Sequence, residues 1–108
     1  MAWNTRSGNL NDALNPPKQT ALGTKAATSD WDANTEISIT ANSYFVHVYV
    51  DEDMYIICDT SADDPTTNGA IYAKFQTHKI PCRGQTKLHY KTTAAGDTGN
   101  IYVTAFHD

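Results

Sequence analysis

The sequence predicts an all-β fold: one small antiparallel β-sandwich, simple or jelly-roll in its winding, behind an irregular N-terminal arm. Three observations lead there. Thr, Ile and Val together number 26 of the 108 residues and Leu only 4, and β-branched side chains lose χ1 freedom in a helix but pack well on a pleated surface. Only two Glu are present, where a helical bundle would draw heavily on Leu, Glu and Lys. After position 35, six or seven short runs with strand character follow one another. Their spacing of roughly 8–14 residues, with turn residues between, is the rhythm of a sandwich or small barrel. No strand–helix–strand alternation and no internal repeat is visible.

The chain divides in two. Residues 1–34 hold scattered Asn, Ala and Thr, Gly8, Gly23 and the pair Pro16–Pro17, and no hydrophobic period lasts more than a few residues. Ser7–Leu14 has the makings of one helical turn that Pro16 would end. This third reads as an extended arm or set of loops, with Trp3, Leu10, Leu14, Leu22 and Trp31 as anchors onto something else, and the body at 35–108 is expected to fold without it. In that body, Glu36–Thr40 alternates and Asn42–Ser43 turns. Tyr44–Val50 then puts Tyr44, Val46, Val48 and Val50 on one face and Phe45, His47 and Tyr49 on the other. Asp51–Asp53 breaks the run. Met54–Cys58 is apolar throughout and reads as a central strand. Asp59–Gly69 is a loop rich in turn residues. Ala70–Gln76 reads as one strand with Ile71, Ala73 and Phe75 inward. Pro81 and Gly84 bracket a turn, and Thr86–Lys91 places Leu88 and Tyr90 inward with Lys87, His89 and Lys91 outward. Ala94–Gly99 is the last loop and Ile101–Phe106 the last strand.

Charge narrows the function. Eight Lys and Arg against 12 Asp and Glu leave a net charge of −4, without the basic face that nucleic-acid phosphates or an anionic membrane require. No apolar stretch approaches the roughly 20 residues of a membrane span, and no apolar signal core follows Arg6. The expectation is a protein that folds in the cytoplasm. Cys58 and Cys82 then read as free buried thiols; a cross-strand disulfide is the alternative outside a reducing compartment.

The familiar catalytic and metal patterns are missing. There is no Gly-x-Ser-x-Gly and no Gly-x-x-x-x-Gly-Lys, so the chain reads as a non-enzyme without cofactor. Asp59, Ser61 and Asp63 copy the first oxygen positions of an EF-hand loop. Asp64 then stands where glycine is needed and Ala70 where the final glutamate is needed. Asp51, Glu52, Asp53, Asp59, Asp63 and Asp64 are therefore read as turn residues and solvating charge. His47, His78, His89 and His107 form no ligand-spaced pair, so no zinc site with the cysteines is assigned. His89, between lysines, is expected on a solvent or subunit face. Among six Tyr, three Phe and two Trp, most read as core. Tyr49 and Tyr102 oppose the clearest apolar stripes and are the aromatic candidates for an interface.

The polar arm, the turn Pro81–Lys87 and the closing segment Gly99–Ala105 together resemble the small head decoration, or cement, proteins of tailed bacteriophages, which have sandwich or jelly-roll cores. That resemblance implies a structural virion protein, made in the host cytoplasm, that binds the outer capsid surface as a dimer or trimer and braces the major capsid protein. It implies no catalytic residues. The competing reading is a carbohydrate- or receptor-binding β-sandwich of a phage tail or fibre.

Overall fold

The computed structural model describes residues 16–34, 36–61 and 64–108. Among them are eight strands: β1 (Lys18–Ala27), β2 (Ile37–Ser38), β3 (Ser43–Val50), β4 (Met54–Asp59), β5 (Ala70–Tyr72), β6 (Gln76–Pro81), β7 (Lys87–Thr92) and β8 (Gly99–His107). A one-turn helix, α1 (Pro65–Asn68), and a 3-10 helix at Trp31–Ala33 complete the regular structure. The strands form two four-stranded sheets, in the order β1-β8-β3-β6 and β2-β7-β4-β5.

The pairing is nested: β1 with β8, β2 with β7, β3 with β6 and β4 with β5, all antiparallel. The chain thus behaves as one long hairpin, folded at β4–β5 and wound across two layers. β3–β8 and β4–β7 pairing then knits each sheet together. This is the winding of a jelly roll. Every connection except β4–β5 passes from one sheet to the other.

The core follows from period-two patterning. Val46, Val48, Val50, Ile101, Val103, Ala105 and Ile80 face inward from the first sheet, and Met54, Ile56, Leu88, Tyr90 and Ile37 meet them from the second. Burying a side chain of the Val, Leu or Ile class contributes about 1.5–3 kcal/mol. β4 lies between β7 and β5, the central place its unbroken apolar run predicts. Asn42 takes a φ of 61°, and Arg83 and Gly84 take φ of 50° and 81°, so both turns fall where the sequence places them. The Cys82–Gln85 turn is closed by a Gln85 N–H donating to the Cys82 carbonyl.

Three local expectations are corrected. First, Lys18–Ala27, grouped by composition with the arm, is a strand of the body. It pairs with β8 from Lys18↔His107 to Ala27↔Gly99, buries Ala27, and packs Leu22 on the core. It is an edge strand with a register shift between Ala21 and Gly23, whose φ is 92°. A mostly exposed, bulged edge carries no readable alternation. The body therefore begins by Lys18, and a truncation through residue 30 would take away one strand of the jelly roll.

Second, Ala70–Gln76 is not one strand. β5 belongs to the second sheet and β6 to the first, and the chain crosses between them at Ala73–Phe75. Phe75 adopts a φ of 61° while its N–H donates to the Val50 carbonyl. Ile71 and Phe75 are consequently 60% and 65% exposed rather than inward. Third, the Asp59–Gly69 loop contains α1, which starts at Pro65 behind the N-cap Asp64, whose carboxylate accepts from the Thr66 N–H. No helix among the described residues is long and apolar enough to cross a membrane.

Candidate functional site on the open face of the first sheet

The outward side of the first sheet carries a grid of side chains set by strand register. One row runs Gln19, Phe106, Phe45, Pro81; the next runs Ala21, Thr104, His47, Lys79; the third runs Thr24, Tyr102, Tyr49, Thr77. These are the residues of opposite parity to the valine stripe, so the alternation that builds the core also builds this surface. The Phe45 and Phe106 rings stack at 4.7 Å between centroids, and His47 lies 4.5 Å from Phe106. Lys79 Nζ sits 4.2 Å from the Phe45 ring centre, a cation–π contact. Tyr49 and Tyr102 meet edge to face at 5.7 Å. They remain 36% and 41% exposed. An open groove of about 420 Å³ runs between the aromatic rows, with Gln19, Thr24, Thr77 and Thr104 on its walls.

Of the anchors expected from the sequence, the structure thus joins Tyr49 and Tyr102 in one patch. Leu22 packs against the core from β1. Trp31 is half-buried over the other sheet, its ring edge-on to His89 at 6.1 Å. Trp3, Leu10 and Leu14 lie outside the described residues. Phe45 and Phe106 complete the patch; their outward parity was readable, but their stacking depends on the β3–β8 register, which no single strand encodes.

The opposite face holds a polar cluster that the sequence did not announce. The segment before β2 is fixed by Asn34. Its amide donates to the Tyr90 carbonyl at 2.9 Å, and its carbonyl accepts from the Thr28 N–H at 3.0 Å. That pins the Trp31 turn over β7. Beneath it His89, outward as expected, is only 5% exposed, a correction to its placement on a solvent or subunit face. Its Nδ1 lies 2.9 Å from Asp59 Oδ1 and its Nε2 3.1 Å from Glu36 Oε2. With a carboxylate at each nitrogen, a ring carrying both N–H protons donates both bonds. Lys87 Nζ donates to Glu36 Oε1 at 2.6 Å. Asp59 Oδ2 is buried and makes no hydrogen bond among the described residues.

Lys87 and then His89 hold the Glu36 carboxyl below its ordinary value of 4.5. Because the folded-state value is the lower one, the stabilisation from this group is complete above about pH 4.5 and is lost as pH falls through the lowered value. Glu36→Gln removes that dependence. Urea denaturation from about pH 5 to about pH 3 should therefore show wild type losing more stability than Glu36→Gln. Equal losses would contradict the assignment.

The acidic turn residues are used as staples. Asp51 accepts from the Asn100 backbone N–H at 2.6 Å and side-chain amide at 3.1 Å, and Asp53 accepts from the Lys74 N–H at 2.9 Å. Asp63 lies outside the described residues. Among the described residues no three His, Cys, Asp or Glu side chains are grouped to hold a metal ion.

Both thiols lie in or against the core. Burial, more than any neighbour, pushes Cys58 up to about 12 and raises Cys82. At neutral pH they are protonated, the opposite of an activated nucleophile. Against protein-family models, curated proteins and solved structures alike, the chain finds no match.

Proposed function

We propose that this chain is a structural virion protein that docks on the outer surface of a phage capsid and braces its major capsid protein, acting as a homo-oligomer. The observation that carries the reading is the open face of the first sheet. Four aromatic side chains are gathered there with His47, and Lys79 is the one Lys, Arg, Asp or Glu in the three rows. Aromatic enrichment with few charges is the composition of a protein-interface core. The jelly-roll winding also hosts many capsid-associated domains, an analogy at the level of fold. Attachment of each oligomer at several points would multiply a modest affinity per site.

Cosedimentation with undecorated heads of the phage that encodes the chain tests this. Tyr49→Ser with Tyr102→Ser should weaken binding about 100-fold or more, since central aromatic anchors carry roughly 2 kcal/mol or more each. Both side chains are exposed, so the fold should survive, as circular dichroism would show. Undiminished occupancy by the double variant would refute this face as the contact.

One observation favours a second reading. The groove beside the tyrosine pair is walled by Gln19, Thr24, Thr77 and Thr104, a stacking platform with hydrogen-bonding groups suited to a sugar ring. A glycan array separates the two: saturable sugar binding that Tyr102→Ser abolishes would favour a carbohydrate-binding tail or fibre domain.

A further inference from the structure

We propose that Cys58 and Cys82 form an oxidisable clamp that joins the two sheets through a disulfide when the protein meets a small-molecule disulfide such as oxidised glutathione. The two thiols come from opposite layers. Cys58 follows Met54 and Ile56 on the core side of β4, opposite Leu88 of β7. Cys82 follows Ile80 on the core side of β6, and its N–H is held by the Tyr44 carbonyl at 3.0 Å. Both belong to one hydrophobic core, Cys82 within it and Cys58 packed against it, and each thiol is near enough to influence the other's ionisation. The link would thus cross the sandwich rather than join neighbouring strands.

The chemistry is two thiol–disulfide exchanges. The Cys58 thiolate attacks one sulfur of oxidised glutathione, its S–S bond breaks, and one glutathione thiol leaves. Cys82 then attacks the Cys58 sulfur, forming the protein disulfide and releasing the second glutathione thiol. The protein gives up two electrons and two protons, and oxidised glutathione becomes two reduced molecules. Cys58, half-buried, is the point of entry, while Cys82 is fully buried. Because burial keeps both thiols protonated, the reaction is slow at neutral pH and accelerates about tenfold per pH unit above it. A glutathione-buffered cytoplasm keeps the pair reduced, and an oxidising exterior closes it. The closed loop would hold α1, β5 and β6, the stretch in which the chain changes sheets with Ile71 and Phe75 exposed. This inference does not depend on the capsid reading.

The test uses the full chain, reduced, desalted and incubated with oxidised glutathione at alkaline pH. Residual thiols are then alkylated and the intact mass is read. The expected product is a monomer lighter by two hydrogens with no alkylation, reverting on reduction, with Tm raised by on the order of 10 °C. Cys82→Ala should stop at a single glutathione adduct on Cys58. The proposal is overturned if the folded wild-type chain keeps both thiols alkylatable. It is also overturned if each cysteine takes up its own glutathione, if the link joins two chains, or if it forms only in denaturant.

Discussion

Leu88→Ala should lower the unfolding free energy by about 2–5 kcal/mol, the range for emptying a packed leucine site. Leu88 is fully buried on β7, paired with Ile37 of β2 on one side and Cys58 of β4 on the other. Its neighbours are strand residues fixed by cross-strand hydrogen bonds, so they cannot collapse far into the void. The loss comprises the transfer energy of the deleted carbons and a term for the remaining cavity. For a domain of this size, Tm should fall by on the order of 10–20 °C. Thermal unfolding followed by circular dichroism measures it. A fall of only a degree or two would mean that the two layers do not meet at this residue.

Gly69→Ala should cost about 2–3 kcal/mol, by overpacking rather than by a cavity. Gly69 has an ordinary φ of −97°, so backbone conformation does not demand glycine. Space does. A Cβ there would stand 2.6 Å from the Ile56 carbonyl oxygen and 2.6 Å from that of Pro65. Both are main-chain atoms, one in β4 and one in α1, and neither can rotate away like a flexible side chain. Relief requires pulling α1 off β4, or breaking the bond from the Gly69 N–H to Pro65. Urea denaturation would reveal the effect, and wild-type stability would show that the helix does not press against β4 as described.

These two positions show what could and could not be read from the chain. Leu88 was legible, because Lys87–Thr92 alternates cleanly and a buried sheet face repeats every second residue. The same holds for β3 and β8, and for the outward parity of Tyr49 and Tyr102, whereas β4 was legible from its unbroken apolar run. The closeness of Gly69 to Ile56 was not legible, since it arises where α1 is tucked against a strand about a dozen residues earlier. Alternation also misled at Ala70–Gln76. It persists across the turn at Phe75, where the chain leaves one sheet for the other, because a crossing need not disturb the order of apolar and polar residues. His89 was placed on the correct face, but its cover comes from Trp31, Glu36 and Asp59, which only tertiary structure brings there. β1 escaped notice because an edge strand that buries little leaves little hydrophobic signature.

The partnership of β1 with β8 also orders events during synthesis. Gln19 finds its opposite number at Phe106, so a ribosome must deliver every strand between them before β1 has anything to join. Until then β1 waits as an unpaired ribbon. Closure of this sheet therefore waits on β8, and its sequence-distant contacts place folding on a scale of milliseconds to seconds.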